Sequence, residues 1–268
     1  MPKVRSGASV PSVSNLQRFA KAGKMREFLE FYAFRSEFFF LDDFNGDAIN
    51  LDYWAVANSS GTSAADFATN IAQGLVAGTG VIQSDSGTTD NGSTSIIGPI
   101  IYKGDQNCGM AARFKVDDVT SWSFDVGFID AVPASNTAGV NDVDTPTVFM
   151  ADGAVIHMNT DQTLQVPALV TVGSTANQGA KATTTGLAPA NATFCTAMIQ
   201  IVGNDVFAQF NNGSGQVFIE HTNGVSGNSA GHVEGGVALA PWIINLTRNT
   251  TAKFMDVDFV AVWTDRTS

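Results

Sequence analysis

The sequence predicts an all-β fold, a two-sheet antiparallel sandwich of the jelly-roll type, behind a partly helical N-terminal arm. Three observations predict this class. From residue 37 onward the apolar residues follow a period of two, segments rich in Gly, Asn, Asp and Ser separate these runs, and no convincing amphipathic helix follows residue 36. A dozen or more short strands make a sandwich the expected arrangement, because a barrel would need even strand spacing.

The composition agrees with a compact folded domain. Of 268 residues, 44% are hydrophobic and only 15% are charged, which is enough apolar material for one large core. The 26 glycines, together with many Ser, Thr and Asn residues, provide the backbone angles that frequent turns require. We therefore expect two parts, an arm over residues 1–36 and a sandwich domain over residues 37–268.

The arm and the domain have opposite charge. The arm holds seven Lys or Arg residues against two Glu residues, a net charge of +5, while the remaining chain holds seven basic and 23 acidic residues, a net charge of −16. A basic arm on an acidic domain suggests an acidic binding partner, which need not be a nucleic acid. An arm that is only solvated explains the charge equally well, and the sequence leaves both interpretations open.

Two apolar stripes are predicted within the arm. A capping box of Ser14 and Gln17 marks a helix start. At about 100° per residue, the nine residues from Leu16 to Met25 turn the apolar face by about 180°. Because Gly23 lies between the stripes, we expect two short helices or a bend. The first stripe contains Leu16 and Phe19, and the second contains Met25, Phe28, Leu29 and Tyr32.

The arm provides the predicted partner-binding residues. Basic side chains lie beside the apolar stripes, so docking would begin by charge attraction and be held by apolar burial. The predicted binding residues are Arg18, Phe19, Lys21, Lys24, Arg26, Phe28 and Leu29.

Six later segments are typical strands: ARFKVDDV, WSFDVGFIDAV, TFCTAMIQIV, DVFAQF, QVFIEH and KFMDVDFVAVW. Strict alternation in the last segment would place Met255, Val257, Phe259, Ala261 and Trp263 on one face, in one core with Trp54. Truncation of Phe259 to Ala would then cost about 3–5 kcal/mol. Trp122 and Trp242 flank turns, and either is a candidate for exposure.

Segments at the two ends of the domain carry a family resemblance. LDDFNGDAINLDYWAV at 41–56 and MDVDFVAVWTDR at 255–266 resemble the first and last strands of concanavalin A-like lectin/glucanase jelly rolls. The resemblance covers residues 37–266 and implies that the two terminal strands pair side by side. Its motifs are short and indicate fold more than function.

The acidic cluster of Asp42, Asp43 and Asp47 has two interpretations. The EF-hand spacing is not met, because Gly46 comes too early and no Glu closes the loop. The resemblance implies an occasional structural calcium near the terminal strands, for which Asp43 and Asp258 are the candidate ligands. A strand end followed by a turn is the preferred interpretation, and no metal or cofactor is predicted.

The glucanase branch of the resemblance implies catalytic Glu, Asp and Glu residues at even spacing on one strand. Glycoside hydrolysis needs two carboxyl groups, about 5 Å apart for retention and somewhat farther apart for inversion. No second acidic residue stands at such a spacing from Glu37, Glu220 or Glu234. The nearest acidic strand contains Asp125 and Asp130, which are five residues apart and so face opposite sides of a regular strand. The sequence leaves open whether another carboxylate pair, such as Asp142 and Asp144, could serve. No enzyme activity is predicted.

Other catalytic and metal-binding motifs are not recognisable in the sequence. The glycines of GLVAGTGVIQ lack phosphate-loop spacing, and His157, His221 and His232 are scattered. Cys108 and Cys195 are predicted to be buried free thiols.

Three functions of different classes remain. The first is a structural subunit of a virus particle, a bacteriophage capsid decoration or cement protein that binds the major capsid protein or another virion subunit. The second is a carbohydrate- or receptor-binding module, and the third is a divergent glycosidase. We expect a homo-oligomer, with a trimer favoured by analogy. No nucleic-acid or membrane partner is expected. MPKVRSGASVPSVSN lacks the apolar core of a secretion signal, which suggests synthesis in the host cytoplasm and a final place in the virion.

Overall fold

A computed structural model describes residues 38–44, 49–59, 81–131, 138–142, 147–163, 165–173, 181–222 and 233–265. The predicted arm, with all seven of its binding residues, lies outside these ranges. The first eight strands are β1 (Phe38–Asp42), β2 (Ala55–Asn58), β3 (Ile82–Asp85), β4 (Ser93–Ile97), β5 (Gly109–Val116), β6 (Trp122–Ile129), β7 (Val140–Asp142) and β8 (Thr147–Val148). The other eight are β9 (Gly153–Asn159), β10 (Ala168–Val172), β11 (Lys181–Thr184), β12 (Cys195–Val202), β13 (Asp205–Asn211), β14 (Val217–Thr222), β15 (Ala240–Thr247) and β16 (Phe254–Thr264).

The strands form two large antiparallel sheets. Sheet A has the order β1-β16-β5-β12-β13-β14, with β3 also paired to β16. Sheet B has the order β11-β10-β9-β6-β15-β4-β2, and β7 and β8 form a separate two-stranded pair. Within the described ranges, the only helical element is a 3-10 turn at Gly104–Gln106. The all-β, two-sheet jelly-roll sandwich predicted from the sequence is confirmed.

The hydrophobic core fills the space between the two sheets. Alternate residues of each strand point inward, so that Phe114 of sheet A meets Phe124 of sheet B with ring centroids 5.1 Å apart. Trp122 stacks on Phe124 and donates its indole N–H to the buried Asn245 Oδ1 at 2.9 Å. Asn245 in turn donates to the Lys253 carbonyl at 2.7 Å, so these buried polar groups are paired within the sandwich.

The terminal strands pair as the resemblance implies. β1 lies antiparallel to β16, with Phe38 opposite Thr264 and Asp42 opposite Val260. Asp42 ends its strand by accepting hydrogen bonds from the Trp54 indole N–H at 3.1 Å and the Phe44 backbone N–H at 3.2 Å. The strand-end interpretation therefore holds for Asp42, whereas Asp47 lies outside the described residues.

The predicted face of β16 is wrong after Val257. The pairing of β16 with β5 shifts register between Val257 and Phe259, which is a β-bulge. Because the bulge adds one residue, Val260 and Val262 point into the core, while Phe259, Ala261 and Trp263 point to the outer face of sheet A. Trp54 consequently shares the core with Met255 and Val257 but not with Trp263.

All four tryptophans are shielded from solvent, at 0–1% exposure, so neither Trp122 nor Trp242 is exposed. Cys108 and Cys195 are buried free thiols, as predicted, and burial raises the pKa of Cys195 to about 12. In the part of the chain that the structure describes, no helix is long and apolar enough to cross a membrane.

The outer face of sheet B is covered by a flap, which we define as residues 138–142 and 147–150. The flap includes β7 and β8 and packs Val140 and Met150 on the outward side chains of sheet B. Trp242 and Val155 are among the side chains beneath it and have no exposure. Sheet B therefore has apolar layers on both of its faces, one in the core and one under the flap.

Candidate functional site

A cavity of ≈ 410 Å³ opens at one end of the sandwich, where three loops meet. The β5–β6 turn, the β9–β10 loop and the β11–β12 loop surround it, with Met158 of β9 at its base. Its described lining consists of Val119, Thr120, Ser121, Met158, Thr160, Asp161, Gln165, Ala188 and Pro189. This volume lies in the range of small-molecule sites.

Hydrogen bonds fix the polar groups of this cavity. Thr160 Oγ1 accepts the Trp122 backbone N–H at 2.8 Å, and Gln165 Nε2 donates to the Thr160 carbonyl at 3.0 Å. Asp161 donates its backbone N–H to Asn159 Oδ1 at 3.0 Å, and its side chain is 56% exposed at the mouth. The cavity thus presents hydroxyl, amide and carboxylate groups from the loops that surround it.

A buried cation supports the β5–β6 turn. Lys253 Nζ, with its side chain 1% exposed, lies 2.7 Å from Asp118 Oδ2. The hydrogen bond from Lys253 lowers the pKa of Asp118 to about 2, and the Thr120 backbone N–H and hydroxyl add to the effect. Val119 is tied to the β11–β12 loop through its N–H, which donates to Asn191 Oδ1 at 2.8 Å. This rim of the cavity is therefore held from two sides.

Arg248 lies beside the cavity mouth. Its Nε is 4.0 Å from Asp161 Oδ2, and its Nη1 donates to Asn91 Oδ1 at 2.7 Å. Burial lowers the pKa of the guanidinium, an effect that Asp161 opposes. The arrangement suits a neutral ligand rich in hydroxyl groups better than an anion, because Asp161 is the charged group among the described lining residues.

Among the described residues, one histidine–carboxylate pair has both side chains fully buried. Its geometry indicates a structural role. His157 Nδ1 lies 2.5 Å from Asp125 Oδ1, across neighbouring strands β9 and β6. The second oxygen of Asp125 accepts the Gly139 backbone N–H of the flap at 2.5 Å. Both side chains have zero exposure, so the pair fastens the flap to sheet B and does not face solvent.

Only some of the carboxylates considered for catalysis or calcium binding belong to the part of the chain that the structure describes. Asp258 forms an ion pair with Arg113, and the described residues contain no group of three or more potential metal ligands. Glu37 and Asp144 lie outside the described residues, as does the side chain of Asp142. Asp130 caps the β8–β9 turn by accepting the Ala151 N–H at 2.9 Å, which is a turn-forming role.

An exposed apolar patch lies next to the point where the arm joins the domain. We define the edge patch as Phe38, Ile100 and Ile101, with exposures of 39%, 49% and 56%. Phe38 belongs to the edge strand of sheet A, and its ring centroid lies 6.3 Å from that of Tyr102, the residue after Ile101. Phe38 thus lies near the turn that carries Ile100 and Ile101, and exposed apolar side chains that form one patch are a feature of protein-binding surfaces.

Sequence analysis did not identify the cavity or the edge patch. The cavity combines residues from three loops that are far apart along the chain. The edge patch joins β1 to a turn about 60 residues later, and the order of strands needed to bring them together cannot be read from periodicity. The adjacent pair of isoleucines after Pro99 was the available signal, since a turn normally carries polar residues.

The sequence matches no protein-family profile, and no curated protein resembles it. Solved structures do resemble the fold. The pseudo β-1,3-glucanase of Mycobacterium tuberculosis superposes with a TM-score of 0.56 at 10% identity, covering 85% of this chain and 98% of that one. A β-1,3-glucanase from Mycobacterium marinum gives 0.53 at 15% identity, with 84% and 97% covered. A Lotus tetragonolobus seed lectin gives 0.52 at 10% identity, with 86% and 100% covered.

These similarities define the class of the fold. The fold is similar to that of concanavalin A-like lectin/glucanase jelly rolls, as the terminal segments suggested. At 9–15% identity the comparisons establish the fold and no more, because this fold carries both sugar-binding and sugar-cleaving proteins.

Proposed function

We propose that this protein is a non-enzymatic structural subunit of a virus particle, a decoration or cement protein of a bacteriophage capsid. The observation that carries the proposal is the edge patch. The edge patch consists of large, apolar and exposed side chains. A single residue, Glu37, lies between the predicted arm and Phe38. One continuous surface, made from the arm and the edge patch, would bind a neighbouring virion subunit.

The charge distribution supports the same proposal. The arm carries +5 and the remaining chain −16, so an acidic partner would attract the arm while the domains of neighbouring copies repel one another. Exposed charges act over about 8 Å at physiological salt, which would speed docking without holding the complex. The apolar residues of the arm and the edge patch would then set the lifetime.

We propose no catalytic activity for the domain. Asp125, the acidic residue of the central strand pair of sheet B, uses both carboxylate oxygens on His157 and Gly139 and lies under the flap. A glycosidase needs an accessible second carboxyl group across the scissile bond. We therefore assign binding and not hydrolysis to the domain.

Mass spectrometry of purified virus particles that carry this gene tests the assignment. A structural subunit should be present in a fixed ratio to the major capsid protein. Trace amounts, or its absence from washed particles, would refute the proposal.

Binding of the purified protein to emptied particles tests the edge patch. Ile100→Asp with Ile101→Asp should weaken binding at least 10-fold, because each buried apolar side chain contributes about 1.5–3 kcal/mol and 1.4 kcal/mol is a tenfold change. Leu51→Asp is the matched control, since Leu51 is 66% exposed and lies outside the patch. Equal binding by both variants would remove the edge patch from the interface.

The cavity supports carbohydrate binding as the second candidate. Its volume of ≈ 410 Å³ and its hydroxyl, amide and carboxylate groups suit one or two sugar rings. A glycan array tests this function, with Asp161→Asn expected to abolish any signal and Asp52→Asn, an exposed turn residue, expected to preserve it. A signal that persists in Asp161→Asn would place the glycan elsewhere.

A further inference from the structure

The lining of the cavity contains no aromatic side chain among its described residues. A sugar ring in this cavity therefore has no aromatic face to stack on among these residues, although it can contact aliphatic groups. Affinity for a sugar would depend mainly on hydrogen bonds and charge. The apolar residues of the described lining are Val119, Met158, Ala188 and Pro189.

The polar side chains of the lining offer more hydrogen-bond acceptors than donors. Thr120 donates its hydroxyl hydrogen to Asp118 Oδ2 at 2.7 Å, so its oxygen is left to accept. Gln165 donates one amide hydrogen to a backbone carbonyl at 3.0 Å, and its Oε1 can still accept. Asp161 adds a carboxylate, which when ionised only accepts. Such a lining favours a ligand that is rich in donors.

Asp161 is the strongest acceptor of the lining, and it is accessible. Its side chain is 56% exposed, and its Oδ2 lies 4.0 Å from Arg248 Nε, which is too far for a hydrogen bond. Arg248 Nε is buried and has no hydrogen-bond partner among the described residues, while Nη1 donates to Asn91. Both carboxylate oxygens of Asp161 can therefore accept from a ligand.

The charges around the cavity mouth favour a cation. Arg248 is the cation beside the mouth, and its side chain is only 14% exposed. Three carboxylates interact with its guanidinium, those of Asp161, Asp125 and Asp90. The chain beyond residue 35 carries a net charge of −16 as well. The single guanidinium is outnumbered, so the potential at the mouth attracts a positive group.

We propose that the cavity binds an amino sugar whose amine is free and protonated, with the ammonium group on Asp161. An ammonium group has three donors and no acceptor, which complements the acceptor-rich lining. Its hydrogen bonds to a carboxylate are charge-assisted, and such bonds are roughly twice as strong as neutral ones. This inference rests on the second candidate function, carbohydrate binding in the cavity, and deepens it by naming the class of sugar.

The sugar ring itself has partners in the same lining. Thr160 Oγ1 already accepts the Trp122 backbone N–H at 2.8 Å, so its hydroxyl hydrogen can donate to a ring oxygen. Gln165 Oε1 can accept from a ring hydroxyl. An N-acetylated sugar lacks the charge, and an acidic sugar would bring a second carboxylate to Asp161, which would repel it. The amine therefore determines the preference among sugars of similar size.

Three disaccharides that differ only in the group at carbon 2 of each ring test the inference. They are the β-1,4-linked disaccharide of glucosamine, cellobiose and di-N-acetylchitobiose, which carry an ammonium, a hydroxyl and an acetamido group. Isothermal titration calorimetry with the full-length chain at about pH 6 keeps the amine protonated. The glucosamine disaccharide should bind about 5-fold more tightly than either of the other two.

Asp161→Asn should remove this preference, because it keeps the size of the side chain and takes away its charge. Asp52→Asn is the matched control and should keep the preference, since Asp52 is also an exposed turn residue but lies outside the lining. In the wild-type protein, raising the pH until the sugar amine loses its proton should likewise abolish the preference. Added salt should weaken it, because the contact is exposed.

Equal affinities for the three disaccharides would overturn the inference and leave carbohydrate binding in place. A preference for the glucosamine disaccharide that persists in Asp161→Asn would also overturn it, by placing the amine elsewhere. Failure of all three disaccharides to bind would refute the inference together with carbohydrate binding in the cavity. The virion role is independent of these results, since the composition of purified particles tests it.

Discussion

The outer faces of the two sheets are both apolar but differ in how they are closed. On sheet B, the flap packs Val140 and Met150 over the face and is fastened by the buried pair of Asp125 and His157. On sheet A, the outer face has an apolar floor that contains Ala111, Met198 and Trp263. It is bordered by ion pairs such as that of the half-buried Lys115 and the buried Asp256, 3.2 Å apart. The layer over sheet B is thus fastened by a buried polar pair, whereas the outward apolar residues of sheet A are held by apolar contacts with Phe39, Val202, Ile219 and Phe259.

Removal of the buried Asp125 carboxylate, which fastens the flap, should cause the largest loss of stability. Asp125→Ala leaves the His157 ring and the Gly139 N–H without their partner, so the free energy of unfolding should fall by about 3–5 kcal/mol. Denaturant unfolding measures this, with the exposed Asp52→Ala as a control expected within about 0.5 kcal/mol of wild type. A loss below about 1 kcal/mol for Asp125→Ala would mean that the flap is not fastened by this pair.

Disturbing the floor of sheet A should have an intermediate effect. Gly109→Ala places a methyl group 2.4 Å from the indole of Trp263, and overpacking of this kind costs about 1–3 kcal/mol. Gly236→Ala is the matched control, because its added Cβ meets the nearest atom at an ordinary 3.6 Å. Equal stabilities would show that Trp263 moves aside without cost and that its ring is not tightly packed on Gly109.

Truncation of Phe259 tests whether this side chain lies in the core or on the outer face of sheet A. Regular alternation predicts a core aromatic and a cost of about 3–5 kcal/mol for Phe259→Ala. The bulge instead places the ring half-buried on the outer face of sheet A, where about 1–2 kcal/mol is expected from the smaller area removed from water. Core Phe114→Ala should cost the full amount in the same chemical denaturation series. Equal losses at the two positions would contradict the bulge.

The smallest expected effect on stability is at the β5–β6 turn, which connects the two sheets beside the cavity and contains Asp118. Lys253 lowers the pKa of Asp118 in the folded state to about 2, below its value in the unfolded chain. The ionised carboxylate therefore stabilises the fold above about pH 4, and this contribution is lost as the pH falls toward 2. The stability gap between wild type and Asp118→Asn should shrink over this interval. A gap that is constant with pH would exclude the Lys253 contact.

The sequence was sufficient for the architecture because strand periodicity and turn composition are local properties. The six strand segments and the pairing of the terminal strands all agree with the structure. The face of β16 was missed, since a bulge depends on the partner strand and leaves the one-dimensional pattern of MDVDFVAVW unchanged.

The candidate sites were less accessible to prediction because they are produced by tertiary contacts. Asp125 and His157 are 32 residues apart and meet only because β6 and β9 are neighbours. Neither residue stands in a recognisable motif. The cavity likewise depends on loop conformations that composition does not specify. The arm was predicted from charge and helical spacing, and both the arm and its binding residues stay predictions, because residues 1–36 lie outside the described ranges.

The pairing of β1 with β16 determines how the domain responds to mechanical force. Phe38 and Thr264 are directly opposed, so the start of the first strand and the end of the last strand lie side by side. A pull on the arm against a load applied beyond Thr264 would open the ladder hydrogen bonds one pair at a time, like a zipper, and would not load all of them together in shear. β1 would therefore act as a yielding link that detaches under tension before the rest of the sandwich unfolds.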